Sequence, residues 1–119
     1  MQSEIEQIVT NVKSGKTTAR AEVEQALARA EATKELHALL EVFKDEALKR
    51  ADEIDAKIKA GQPVGRLAGV PYVAKDNFLT KVGHTTAAAH ILENFKSPIN
   101  ATAIDKLDQE DAILIGKAN

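Results

Sequence analysis

Of the side chains able to move a proton or attack a carbonyl, Lys75 stands in the most suggestive place. It closes the apolar run Val70-Pro71-Tyr72-Val73-Ala74-Lys75, which reads as a β-strand. Parallel α/β sheets gather their ligands at the carboxyl ends of strands. Burial at such an end favours the neutral form of a lysine, and a neutral amine is a usable base. The competing reading is an ordinary ion pair of Lys75 with Asp76 or another acid at the sheet edge, since most lysines are solvated. Other candidates offer less. His37, His84 and His90 lie far apart or on different elements, without metal-ligand spacing, which points to surface or loop roles. Gly65, Gly69 and Gly83 form neither a GxGxxG nor a Walker pattern, so nothing supports nucleotide binding. Thr85-Thr86 offers two hydroxyls to a ligand, although loop threonines more often cap their own backbone. There is no cysteine, which excludes disulfide and thiolate chemistry.

The elements that must position Lys75 can be followed along the chain. Ser3 and Glu6 have capping-box spacing at the start of a helix over about 3–14, with Ile5, Ile8, Val9 and Val12 as its apolar stripe and Gly15 as its stop. A second helix over about 18–32 carries Val23, Ala26, Leu27 and Ala30, and the two predict a helical hairpin. Residues 38–43 read as a strand. A helix follows over about 45–60, burying Ala47, Leu48, Ala51, Ile54 and Ile58. Its other face offers the acid-first pairs Glu46–Arg50, Glu53–Lys57 and Asp55–Lys59, each worth ~0.3 kcal/mol, and most simply solvated. The strand over 70–75 starts with Pro71, which cannot donate to a ladder and so belongs at a start or an edge. Residues 76–99 are largely irregular, with a helical turn near Ile91-Leu92; connections this long are often functional. Asn100 is the expected N-cap of a helix over about 100–110 with Ala103, Ile104 and Leu107 inward. The strand 112–115 then ends at Gly116.

Strand, crossover helix and apolar strand make a parallel βαβ unit of right-handed sense. The expected fold class is therefore α/β, a helical hairpin followed by a mixed, partly parallel sheet with crossover helices. All 119 residues are expected to form one domain. Helices supplied mainly from one side leave an apolar sheet surface that wants a partner, and self-association through that exposed sheet is one way to supply it.

Composition narrows the class of function. With 44% hydrophobic, 29% charged and only 3% aromatic residues, the chain is globular and its core must come from Ala, Leu, Ile and Val. Sixteen basic residues against 18 acidic ones argue against direct nucleic-acid binding through bulk charge. There is no signal-peptide pattern at Met1 and no apolar run near the ~20 residues of a membrane helix, so a soluble cytoplasmic protein without membrane attachment is expected.

One stretch adds to this reading. Gly65-Arg66-Leu67-Ala68-Gly69-Val70-Pro71-Tyr72-Val73-Ala74-Lys75-Asp76-Asn77 resembles the segment of amidase-signature enzymes in which Leu-x-Gly-Ile/Val-Pro leads into Lys-Asp. The likeness continues through Thr80, Gly83, Thr85-Thr86, Ile91-Leu92-Glu93-Asn94-Phe95, the Ala101 helix and Gly116-Lys117-Ala118-Asn119. It is most specific over residues 65–119 and looser before them. Within the family it is most similar to the A subunits of tRNA-dependent amidotransferases.

The resemblance implies a mixed amidase-signature sheet, of which residues 1–119 would be the N-terminal part, and a Ser–cis-Ser–Lys triad whose lysine matches Lys75. The lysine takes a proton, through the bridging serine, from the serine that attacks a carboxamide. The Gly- and Ser-rich signature that supplies both serines would lie beyond Asn119; Ser3, Ser14 and Ser97 are in the wrong context. The resemblance further implies inactivity of this segment alone, glutamine as the amide, and as partners the rest of the same polypeptide together with B and C subunits. ATP and Mg2+ would serve a partner subunit, and this chain would use no cofactor. The alternatives are a non-catalytic amidase-like binding module and a segment of another small-amide hydrolase. Three departures stand out. Ala89 replaces a common serine, Ala118 replaces a common threonine, and Glu110-Asp111 replaces an Ala-Gly turn. Asp111 tolerates left-handed geometry less well than glycine, which predicts a strained or reshaped turn there.

Overall fold

The computed structural model describes residues 1–119. Four α-helices and three strands occur in the order α1 (Glu4–Ser14), α2 (Ala19–Ala32), β1 (Leu39–Val42), α3 (Lys44–Lys59), β2 (Pro71–Lys75), α4 (Thr102–Gln109) and β3 (Ile113–Ala118). A short 3-10 turn occupies His90–Leu92 within the long connection after β2. The sheet has the order β1-β3-β2, with β3 antiparallel to β1 and parallel to β2. The α/β class and the mixed sheet are therefore as the sequence predicts, and α4 is the crossover between the parallel strands.

The start of α1 is a complete capping box. Glu6 N–H donates to Ser3 Oγ at 3.2 Å and Ser3 N–H donates to Glu6 Oε2 at 2.7 Å, so two otherwise unpaired helix-start donors are satisfied. Thr18 accepts from Ala21 N at the start of α2. The principal partner of α2 is α3 rather than α1. Helix α1 reaches the core chiefly through Val12, while Ile5 is half exposed. The core joins Val12, Ala19, Val23, Ala47, Ala51, Ile54, Ala68, Ile113 and Ile115. Four of these nine residues are alanines, Ala19, Ala47, Ala51 and Ala68, small side chains that let the backbones pack closely where aromatics are scarce.

Four expectations about local structure need correction. The charges of α3 do not form the three acid-first pairs. Arg50 and Lys57 instead reach Asp111, at 2.7 and 3.5 Å, and Asp55 accepts from the backbone N–H groups of Ala19 and Arg20 at 2.7 and 3.0 Å. That carboxylate meets the free donors and positive dipole end of α2, a more rewarding use than an exposed ion pair. Asn100 is not the N-cap of α4; Ala101 is, without a side-chain bond. Asn100 Oδ1 accepts from Lys81 N–H at 2.7 Å, and its side-chain Nδ2 donates to Asp105 Oδ1 at 3.0 Å, so the residue ties the loop to the helix. Ala103 points outward, leaving Ile104 as the buried residue of α4.

The fourth correction matters most for the site. Gly116 does not end β3, which continues to Ala118. Gly116 pairs with Val42 on one side and Val73 on the other. A Cβ on it would lie 2.5 Å from the Glu41 carbonyl oxygen. The glycine marks a close approach of backbones rather than a strand stop, and the extra residues deliver Lys117 between β1 and β2.

Candidate active site

The carboxyl ends of the parallel strands β2 and β3 lie side by side, with Ala74 opposite Lys117 and Lys75 opposite Ala118. Along β2 the side chains alternate between faces. Ala74 and then Asp76 are buried, whereas Val73 and Lys75 are exposed. The two neighbouring charges, Lys75 and Asp76, therefore leave the chain on opposite sides. Lys75 is not buried in this chain, contrary to the expectation for a desolvated base. Nor does it form the competing ion pair with Asp76, because it takes part in no ion pair at all.

Asp76 is committed elsewhere. Its Oδ1 lies 3.3 Å from Lys117 Nζ. The Thr86 hydroxyl donates to Oδ2, and Thr86 N–H reaches both carboxylate oxygens at 3.3 Å. Burial by itself would raise the Asp76 pKa. Hydrogen bonds from Thr86, followed by the bond and charge of Lys117, outweigh it and hold the carboxyl below its ordinary value. Its backbone is fixed as well: Asp76 N–H donates to Ala118 O at 2.7 Å, and Asp76 O accepts from Ala87 N–H at 2.9 Å.

Lys117 is the residue that sequence reasoning missed. It is fully buried, at 0% exposure. Its Nζ faces three oxygens: Asp76 Oδ1 at 3.3 Å, the His84 carbonyl at 3.0 Å and Thr85 Oγ1 at 3.3 Å. An ammonium has three donors and no acceptor, and here each donor has a partner. A signal was available, because Ile113, Ile115 and Lys117 recur with period two, which sends all three toward buried surroundings. Flanked by Gly116 and a small alanine, the lysine lost that context to the assumption that the glycine closed the strand.

The segment 83–88 folds over this centre. Gly83, at φ +67°, seats against the Phe43 ring, where a Cβ would come within 2.3 Å of Cε1. His84 N–H donates to Glu41 Oε1 at 2.7 Å, and His84 Nδ1 lies 3.2 Å from both Glu41 oxygens. Thus β1, although at the far edge of the sheet, holds the segment whose carbonyl and hydroxyl groups receive Lys117. Ala87 and Ala88 then adopt left-handed backbone, with φ of 49° and 58°. Thr85 and Thr86, read as possible ligand donors, are spent inside the protein on Lys117 and Asp76. His37 and His90 lie away from this centre on the exposed surface. No three His, Asp or Glu residues converge in metal-binding geometry.

At the opposite end of β3 the unusual turn proves well supported. Asp111 is left-handed, with φ 64°, and its carboxylate receives Arg50 Nη2 at 2.7 Å and Gly65 N–H at 2.8 Å. These bonds offset the cost of the conformation, so the turn that the sequence marks as strained keeps its left-handed shape with a side-chain anchor.

The strand-end lysine and its anchored aspartate thus sit on a mixed sheet behind an N-terminal pair of helices, a fold that solved relatives share. The chain belongs to the amidase family, whose profile, described as Amidase, matches residues 21–119. A solved bacterial aryl acylamidase of the amidase-signature enzymes superposes with a TM-score of 0.89 at 32% identity, over 98% of this chain and 25% of that one. The A subunit of the Nostoc punctiforme glutamyl-tRNA(Gln) amidotransferase is 46% identical over 97 residues, 81% of this chain and 20% of the relative. Its counterpart in Thermobifida fusca is 42% identical over 109 residues, 91% of this chain and 22% of the relative. The chain spans about a fifth of the length of these curated relatives. No helix in it is long and apolar enough to cross a membrane.

Proposed function

We propose that this chain is the N-terminal segment of the A subunit of a glutamine-hydrolysing amidotransferase and that Lys75 is its catalytic lysine. The observation that carries the reading is the separation of two adjacent charges. Asp76 is locked to Lys117 and Thr86 on one face, leaving the Lys75 amine on the other face with no carboxylate to hold its proton. Similarity to subunits of that name supports the choice among amide-cleaving activities.

In this reading the nucleophilic serine gives its proton to a bridging serine, which passes one to the Lys75 amine. The serine oxygen attacks the glutamine carboxamide carbon. Collapse of the adduct breaks the carbon–nitrogen bond, and the proton returns to the departing nitrogen as ammonia. Water then hydrolyses the glutamyl ester. Both serines belong to polypeptide outside residues 1–119, as do the B and C partners and the subunit that uses ATP and Mg2+. An amine in water keeps its proton at neutral pH, so the mechanism requires that this further polypeptide cover the end of β2. Val73, on the same face of β2 two residues before Lys75, and Phe78, three residues after it, are exposed at 40% and 42% and give such a cover apolar surface to bury.

The test is Lys75→Ala in the full-length polypeptide assembled with its partners, with ammonia release from glutamine as the readout. We expect a loss of at least about 10³-fold, the scale for an essential proton-transfer group, with an unchanged melting profile, and no release from the 119-residue chain alone. Undiminished glutaminase in Lys75→Ala, or turnover by the isolated chain, overturns the assignment.

A further inference from the structure

We propose that Lys117 is a positioning residue for Lys75, acting from the opposite face of the sheet through Asp76. The inference rests on the catalytic reading of Lys75 given above. Its physical basis is that Lys117 is an expensive residue in its present place. Removing an ammonium from water costs far more than burying an apolar side chain of similar length, and a buried ion pair is often no more stable than a hydrophobic replacement. Stability alone therefore does not account for a lysine at 0% exposure.

What the ammonium does provide is convergence. One Nζ joins three elements: the body of β3, the Asp76 carboxylate just past the end of β2, and the 84–85 segment through the His84 carbonyl and Thr85 Oγ1. No apolar side chain bonds three oxygens at once. Asp76 adds a fourth connection, to Thr86, and its own amide and carbonyl are held by Ala118 and Ala87. Every backbone and side-chain polar group of Asp76 is thus tied down, and the residue before it is Lys75. With the strand end clamped from behind, the Cα–Cβ direction of Lys75 is fixed on the front. Small displacements of a reacting group cost large factors in rate, and precise sites are those whose supporting residues are themselves locked by surrounding hydrogen bonds.

This role differs from catalysis by Lys117 itself. All three of its donors are engaged and it is sealed from solvent, so no substrate atom reaches it. It differs too from general support of the fold, because positioning through Lys75 has a kinetic signature. Residues that act as a unit are non-additive when removed together.

The experiment uses the full-length enzyme with its partner subunits and compares Lys117→Met, Lys75→Ala and the double variant in glutamine hydrolysis. The methionine fills most of the lysine's volume without its charge. We expect Lys117→Met to lower kcat by about 10²-fold, with KM for glutamine within about twofold of wild type. We expect the double variant to be no slower than Lys75→Ala. An unchanged kcat in Lys117→Met overturns the proposal, as does a double variant that loses a further factor beyond Lys75→Ala. Retention of activity by Lys75→Ala overturns the catalytic reading and this proposal with it, whereas an inactive Lys75→Ala beside an unimpaired Lys117→Met overturns this proposal alone. Should Lys117→Met fail to fold, Thr86→Val removes one anchor of Asp76 at little steric cost. A several-fold fall in its kcat at constant KM supports the same clamp, and wild-type kinetics reject it.

Discussion

The two ends of β3 are each fastened by a buried carboxylate that meets a cation distant in sequence, yet the fastenings serve different ends. At the start of the strand Asp111 takes Arg50, Lys57 and the Gly65 amide; its own exposure is 6% but that of Arg50 is 29%. At the finish Asp76 takes Lys117 and Thr86, with the two charged side chains at 5% and 0% exposure. The first site joins a helix, a loop and a turn, and no reacting group adjoins it. The second surrounds the residue next to Lys75. The carboxyl ends of strands in α/β sheets are where ligands bind, and the amino ends do structural work. If Lys75 is catalytic as proposed, equivalent chemistry should have a stability consequence at one end and a rate consequence at the other.

The contrast breaks if Asp111→Ala affects glutaminase as strongly as Lys117→Met does. We expect it to lower stability by about 2 kcal/mol, since it orphans the Gly65 amide and leaves Arg50, which water can partly rescue. In thermal melts that is a fall in Tm of roughly 6–10 °C for a chain of this size, with kcat of the assembled enzyme within about twofold of wild type. Asp111→Asn keeps an acceptor oxygen and tolerance of left-handed backbone, so its cost is nearer about 1 kcal/mol.

How far the sequence foretold these two ends differs in the same way. The turn at Glu110-Asp111 stood out only against the family pattern, where an Ala-Gly turn is usual and Asp111 takes the place of the glycine. The capping box, the stripe of α3 and the strand leading to Lys75 were equally open to reading, being local patterns with fixed periods. What escaped depends on contacts across the chain. The Asp111 anchors lie 61 and 46 positions away on Arg50 and Gly65, and Asp76 meets Lys117 across 41 positions. Local propensity carries no information about which of several acids an arginine or lysine will find. Gly116 misled for a related reason: a glycine inside a strand and one at its end look alike until a neighbouring backbone comes close.

Left-handed backbone sharpens the comparison further. Asp111 compensates for its φ with side-chain bonds, but Ala87 and Ala88 have only methyl groups to offer, at φ 49° and 58°. Their amides are held instead, by Asp76 O and Thr86 Oγ1 at 2.9 and 3.3 Å. Relief of the strain by Ala88→Gly should raise stability by about 1 kcal/mol, less what the freer unfolded chain takes back. If the tight loop exists to hold the Asp76 clamp, the same variant gains stability without gaining rate. A chemical-denaturation midpoint that does not rise would show that the loop bears no strain.

The smallest expected effect concerns pH, and it runs in opposite directions at the two ends. At the amino end burial leaves polar groups poorly served. Tyr72 Oη has no hydrogen-bond partner, and its pKa is pushed up by burial and then by the negative charge of Asp108. Asp108 itself is raised, by burial first, against the attraction of Arg50. A raised carboxyl means that the folded state binds its proton more tightly than the unfolded chain does. Asp108 therefore costs nothing below its unfolded value, and costs stability progressively as pH rises through its folded value. Asp76, held low, behaves in the reverse sense: its contribution is present above the unfolded value and disappears as pH falls through the folded one. Replacing Asp108 with asparagine should consequently raise Tm slightly at neutral pH, and the gain should vanish at about pH 3, where both chains carry a neutral group at that position. Melting curves of wild type and Asp108→Asn across that range test the sign. A gain that persists in acid would mean that Asp108 acts through shape rather than charge, and that burial at this end of the sheet is not what sets its titration.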